Sequence, residues 1–316
     1  MMKLEIEKHD SEYWSRVSET IQQFIKDKVK EFNKNGAIIG LSGGIDSAVV
    51  AKLAVESLGS DKVKALLLPE RDSNKENMND ALTLAKDLNI KDITKVNITG
   101  ILKKIGTYRI FFPYSLLPKI MKRKLSVIQQ RRLEKRGFEK VFLEILRGTD
   151  NIDISKIRAY LGSKVRTRML VTYFYADLLN LLVLGTTNKS ELMIGYFIKY
   201  GDAGVDIEPI ANLYKTEIFD FAKFLKIPDK IINKAPSADL SPGITDESSV
   251  GMTYQSIDKI LLGIEKGLTD DEISDLTDEK LEDVRYIREL TLYSKHMREL
   301  PCSPNLCCVK SNSNFS

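Results

Sequence analysis

The string Gly40-Leu41-Ser42-Gly43-Gly44-Ile45-Asp46-Ser47 constrains this chain more than any other feature. Before it, Ala37-Ile38-Ile39-Gly40-Leu41 is a short apolar run suited to a buried strand. After it, Val49, Val50, Leu53, Ala54 and Leu58 predict a packed helix. A glycine pair between strand and helix lets the backbone turn sharply and approach an anion closely. The helix N-terminus then points free N–H groups and its positive dipole end at the same place. Ser42 and Ser47 add hydroxyl donors. Asp46 would repel a phosphate directly, so its expected task is to hold a magnesium ion that bridges phosphates. The alternative is a plain strand-to-helix turn capped by Asp46 and Ser47. The string lacks the Gly-Lys-Ser/Thr end of a Walker A loop and the spacing of a dinucleotide fingerprint.

Further along, strands and helices alternate. Trp14, Val17, Ile21, Phe24, Ile25, Val29 and Phe32 recur at helical spacing and predict a first helix. Val63–Leu68 reads as a second strand, Met78–Leu88 as a helix with Ala81, Leu82, Leu84, Ala85 and Leu88 inward, and Ile93–Ile98 as a third strand. A helix over roughly Arg166–Leu178 precedes a fourth strand, Leu181–Leu184. The last third turns helical: Lys215–Leu225, Tyr254–Glu265, and a pair after Thr269, where Thr269 and Glu272 fit a capping box. The expectation is an α/β, doubly wound, mostly parallel sheet flanked by helices, with a helical C-terminal region, all in one catalytic unit spanning residues 1–316.

Composition narrows the setting. Hydrophobic residues make up 43% and charged residues 29%, the balance of a soluble globular chain. No apolar run approaches the ~20 residues of a membrane-spanning helix. The charged N-terminus gives no signal core, and Cys302, Cys307 and Cys308, clustered near one end, form no disulfide framework, so a reducing cytoplasm is expected. The net charge of +4 is unevenly placed. Residues 101–150 hold thirteen Lys/Arg against four Asp/Glu, a net +9, so the remainder is acidic. In that segment Tyr114, Leu117, Ile120, Met121, Leu125 and Ile128 lie near one helical face, with Lys119, Lys122, Arg123, Lys124, Arg131 and Arg132 around the rest. It reads as a basic helical insertion. Either its apolar side, with Phe111, Phe112 and Phe138, packs on the core, or it meets a membrane surface, RNA or an acidic partner. The first is expected, and with it no nucleic-acid partner.

The phosphate loop resembles that of the N-type ATP pyrophosphatases, in which attack falls on the α-phosphate. Other polar strings join it: Leu67-Leu68-Pro69-Glu70-Arg71-Asp72-Ser73, Gly185-Thr186-Thr187-Asn188-Lys189-Ser190-Glu191, Lys199-Tyr200-Gly201-Asp202-Ala203-Gly204-Val205-Asp206, Leu213-Tyr214-Lys215-Thr216-Glu217, Ala235-Pro236-Ser237-Ala238-Asp239-Leu240 and Gly243-Ile244-Thr245-Asp246-Glu247. Together they resemble the ammonia-dependent NAD synthetases over roughly residues 15–100 and 160–300.

That resemblance implies the following. Asp46 and Glu191 would hold magnesium and, with Lys215, carry the chemistry. Ser42, Gly43, Gly44, Ile45, Asp46 and Ser47, with Arg71, Thr186, Lys215 and Ser237, would bind ATP. Arg166, Lys199, Asp206 and His296 would bind deamido-NAD. Its carboxylate would attack ATP to give an acyl adenylate, and ammonia would convert that to the amide, releasing AMP. No glutaminase segment is evident, so ammonia would come free or from a separate glutaminase. The resemblance further implies a homodimer, for which the first helix and the Arg166–Leu178 helix are candidate contacts. A paralogue adenylating a different carboxylate or nucleotide is the competing reading. Three departures motivate it. Gly162-Ser163 stands where the family has Asn before Lys-x-Arg, Ser241-Pro242 stands where Trp follows Ala-Asp-Leu, and His296-Met297-Arg298 replaces His-Lys-Arg. A lost charged contact of that kind costs ~1.5–3 kcal/mol, with Arg298 or Lys295 as possible replacements.

Overall fold

The structure, a computed structural model, describes residues 3–110, 138–236 and 245–304. Helix α1 (Ser11–Glu31) starts at Asp10, whose carboxylate accepts the Tyr13 N–H. There follow β1 (Gly36–Gly40), α2 (Ile45–Leu58), β2 (Val63–Leu67), α3 (Lys75–Asp87), β3 (Asp92–Lys95) and α4 (Thr99–Lys104). After α5 (Phe138–Arg147) and α6 (Ile152–Leu179) the chain returns to the sheet as β4 (Leu181–Leu184). The rest is helical: α7 (Lys189–Ile194), α8 (Lys215–Phe224), α9 (Asp229–Ile232), α10 (Asp246–Val250), α11 (Tyr254–Glu265), α12 (Asp270–Thr277), α13 (Leu281–Tyr293) and α14 (Lys295–Arg298).

The four strands form one parallel sheet in the order β3-β2-β1-β4. Alternation along each strand divides its side chains between two apolar layers. Ala37, Ile39, Val63, Ala65, Leu67, Leu182 and Leu184 join the core under α1, α2, α3 and α8. Ile38, Leu66, Leu181 and Val183 join a second core with Ile98 and Leu102 beside α4 and Val171 and Ala176 of α6. Helices on both faces make this the expected α/β, doubly wound arrangement. A third cluster, around Tyr254, Ile257, Leu261, Ile273, Val284, Ile287 and Leu290, holds the C-terminal helices together. The Thr269–Glu272 capping box is present.

The strand order reverses between β1 and β4. The loops leaving those two strands therefore diverge over a crevice at the carboxyl edge, where parallel sheets bind ligands. The phosphate loop leaves β1 there, and the Gly185–Glu191 string leaves β4 beside it.

Some expectations need correction. Helix α6 begins at Ile152, fourteen residues before Arg166, because the apolar residues of its first turns are interleaved with Asp153, Lys156 and Arg158 and do not mark its start. Phe24, Phe32 and Leu82 are partly exposed, at the edges of their helices. The segment before α6 is bridged to it: Thr107 Oγ1 and Ser163 Oγ are 3.0 Å apart. Residues Phe111, Phe112, Tyr114 and the rest of the basic amphipathic pattern to Arg132 lie outside the described residues, as do Ser237, Ser241-Pro242, Cys307 and Cys308, and the side chain of Phe138. Cys302 is exposed. Among the described residues no helix is long and apolar enough to cross a membrane.

Candidate active site

The phosphate loop is built from its own side chains. Gly43 has φ +80, in the left-handed region, and a Cβ there would run into the carbonyl oxygen of Asn77. Only glycine suits that position. Ser42 Oγ accepts the Gly44 N–H at 3.2 Å and lies 3.1 Å from Ser47 Oγ, which donates to the Gly44 carbonyl at 3.0 Å. Gly44 caps α2, so the helix dipole begins inside the loop.

Asp46, in the first turn of α2, reaches across to the β4 side. Its Oδ1 accepts Asn188 Nδ2 at 3.0 Å, and its Oδ2 lies 2.5 Å from Lys215 Nζ. The same ammonium is 3.3 Å from Glu191 Oε1. Glu191 is set by a capping box on α7, in which Asn188 accepts its N–H and its own carboxylate accepts the Asn188 N–H. Lys215 is 1% exposed. Its backbone N–H donates to Ser190 Oγ at 2.8 Å, and Ser190 in turn bonds Asp258, which also accepts both Thr216 donors. A buried polar network thus fixes the start of α8 against α7. Glu217 caps Tyr214 at 2.7 Å and leaves Lys215 to the site.

Electrostatics follow from this crowding. Burial alone would lower the Lys215 pKa; Asp46, Glu191 and Asp246 outweigh it and hold the ammonium charged. Burial, with Asp46 and Asp246 adding to it, pushes Glu191 upward against the pull of Lys215. Asp246 accepts from Tyr196 at 3.1 Å. Asp46, Glu191 and Asp246 outnumber the one ammonium, and either a proton on Glu191 or a hard divalent cation with oxygen ligands would offset the surplus. The donor set at Asp46 and Glu191 therefore fits magnesium, an ion that keeps several waters and needs few protein ligands.

The other expected site residues fall into separate groups. Arg71 stacks on the Tyr108 ring at 3.8 Å and pairs with Asp72 through Nε at 3.0 Å. Beneath it Lys164, fully buried, bonds Glu70 at 2.8 Å and Asp72 at 3.2 Å, while Tyr108 and Tyr160 donate to the same two carboxylates. Thr186 is half-buried beside Thr187, whose N–H donates to Glu208 at 3.0 Å. Arg166, Lys199 and His296 are linked: Arg166 Nε donates to the Lys199 carbonyl at 3.3 Å and Lys199 Nζ to the His296 carbonyl at 2.5 Å. Asp206 accepts Tyr173 OH at 2.9 Å and the Val183 N–H at 2.8 Å, so it also ties its loop to β4. Met297 packs on the C-terminal core. Arg298 spends its guanidinium on the carbonyls of Leu192, Met193 and Thr291, whereas Lys295 is exposed beside Glu299.

Sequence reading gave no role to Asn188, Asp246 or Asp258. Asn188 had a signal, the Asn-x-x-Glu spacing of a cap. The two aspartates had none, because burial beside a lysine distant in sequence is not visible along the chain.

The NAD synthase family model matches residues 17–110 and 156–301. The chain belongs to the NAD synthase family. A curated NH(3)-dependent NAD(+) synthetase of Thermotoga maritima is 43% identical over 90% of this chain and 98% of its own length. Among solved structures, NMN synthetase from Francisella tularensis is 30% identical, with TM-score 0.69, 94% of this chain and 100% of that one covered. An NH3-dependent NAD synthetase from Campylobacter jejuni is 28% identical, with TM-score 0.65 and the same coverage. The NAD synthase match is interrupted between residues 110 and 156, a gap that takes in most of the basic segment.

Proposed function

We propose that this enzyme converts deamido-NAD to NAD, using ATP and ammonia and releasing AMP and pyrophosphate. The observation that carries the reading is the meeting of Asp46, Glu191 and Lys215 at the strand switch point, in a NAD synthase chain whose curated relatives are NH(3)-dependent NAD(+) synthetases. The substrate carboxylate attacks the α-phosphorus, pyrophosphate leaves, and ammonia displaces AMP from the resulting acyl adenylate. The loop Ser42–Ser47 holds the phosphates through backbone N–H groups and hydroxyls. Lys215 stands where charge develops on the leaving group. Asp46 and Glu191 would hold magnesium, which neutralises phosphate charge when bound. Arg71, Thr186 and Ser237 complete the ATP contacts, and Arg166, Lys199, Asp206 and His296 take the acid substrate. Purified protein given deamido-NAD, ATP, magnesium and ammonium should release AMP and NAD in equal amounts. A folded sample that makes neither overturns the assignment.

Two observations favour a second acid as the alternative substrate. Met297 and Arg298 offer no free cation where the family string has lysine, and a solved relative of 30% identity is an NMN synthetase. Parallel assays with deamido-NAD and nicotinate mononucleotide separate the two by their kcat/KM ratio.

We further propose a homodimer along α6. Leu170, Phe174 and Leu178 recur every fourth residue and are 61%, 62% and 66% exposed, an apolar stripe of the kind that marks an interface.

A further inference from the structure

Lys234 is the point where the phosphate loop, α3 and the segment leading to Ser237 converge. Its Nζ donates to the Gly43 carbonyl at 3.1 Å and to Asn77 Oδ1 at 3.0 Å, and it pairs with Asp80 Oδ2. Asp80 is buried in the first turns of α3, and its other oxygen pairs with Lys230 at 2.7 Å. The loop crosses α3 at bare-backbone distance, because Gly43 abuts the Asn77 carbonyl.

The peptide joining Gly43 to Gly44 has a glycine on each side. Neither residue has a Cβ, so little steric cost opposes turning that peptide over. Turned over, it would swing the Gly43 carbonyl towards the side now held by the Gly44 N–H, which faces Ser42 Oγ. A carbonyl there presents a negative dipole end to a phosphate, where an anion cradle needs successive N–H groups. Something must hold the productive orientation, and Lys234 is the cation seated on that carbonyl.

We propose that Lys234 is a positioning residue for the phosphate loop. By holding the Gly43 carbonyl on the α3 side it keeps the Gly44 N–H on Ser42 Oγ and keeps a carbonyl out of the phosphate cradle. The inference rests on the loop being the ATP cradle. Lys234 acts through Gly43 and not by touching the nucleotide.

The test is calorimetric titration of the full-length protein with ATP and with pyrophosphate, both with magnesium, alongside steady-state KM values. Lys234→Met should weaken both ligands about tenfold or more, the range of a lost charge-assisted hydrogen bond. The KM for deamido-NAD should stay within about twofold. Lys234→Arg should recover most of the affinity. The decisive variant adds Gly44→Ala to Lys234→Met. Gly44 has φ −95, which alanine accepts. The added Cβ would sit 3.3 Å from Ser42 Oγ, so Gly44→Ala alone sets the reference affinity for the double variant. The turned-over peptide, by contrast, needs positive φ there. The double variant should therefore regain ATP affinity. Lys234→Gln, which keeps a donor without the charge, is read the same way should the Met variant not fold, with a smaller loss. Unchanged ATP affinity in folded Lys234→Met and Lys234→Gln, equal loss for ATP and deamido-NAD, or no rescue by Gly44→Ala overturns the inference. A wild type that binds ATP and pyrophosphate but makes no NAD removes the substrate assignment and leaves this test standing. A wild type that binds neither overturns both.

Discussion

Lys215 Nζ lies 2.5 Å from Asp46 Oδ2, joining the first turn of α8 to the first turn of α2 across 169 residues of chain. One ammonium holds together the phosphate loop and, through Glu191, the loop that leaves β4. That contact makes the crevice a site, because without it two carboxylates would face each other in a buried place.

Removing the ammonium should separate catalysis from metal rescue. Lys215→Met is expected to lower kcat about a hundredfold or more, as loss of a preorganised charge does. It should also lower the melting temperature in magnesium-free buffer. Added magnesium should restore part of that stability and none of the turnover, measured by differential scanning fluorimetry and AMP release. Full stability without magnesium would show that the carboxylates do not need the cation.

Asp46→Asn keeps the shape of the loop and its bond to Asn188 but removes a charge. We expect most activity to be lost and the magnesium-induced rise in melting temperature to shrink. Near-normal turnover would refute the metal role.

The Arg71 platform should impose an acid limit on stability. Burial would raise the Asp72 pKa, but hydrogen bonds from Arg71 and Tyr160 and the charge of Lys164 outweigh it, lowering it from 3.8 to about 2. Its folded pKa is depressed, so its contribution is complete above 3.8 and is lost as pH falls towards about 2. Urea unfolding of wild type and Asp72→Asn should differ most near neutral pH and converge across that window. A difference independent of pH would place the effect in packing.

On α6, Phe174→Asp should shift sedimentation from dimer to monomer, because a charge at the centre of an apolar stripe cannot be buried unpaired. A wild type that sediments as a monomer rules out the interface.

Much of this arrangement was legible along the chain. Leu181–Leu184 and Tyr254–Glu265 were placed to the residue, because an apolar run or helical spacing ends there at a turn or cap. The phosphate loop was legible because its meaning lies in its neighbours in sequence. Lys164 was not. It is a lysine in a run of basic residues, and its burial against Glu70 depends on a strand end 94 residues away. Arg298 misled for the reverse reason: a charge at a helix end looks available until the orphan carbonyls of two helices claim it.

The Thr107–Ser163 bridge joins the two stems of the stretch where the NAD synthase match is interrupted. Whatever is threaded between those stems closes on a fixed base. The entropy of closing a flexible loop rises only with the logarithm of its length, about 0.6 kcal/mol per doubling. Part of that stretch is itself packed, since α5 sets Leu146 into the C-terminal core and pairs Arg147 with Glu289. Length can therefore be added before Phe138 while the nucleotide crevice keeps its shape, and a reporter domain inserted there should leave turnover intact.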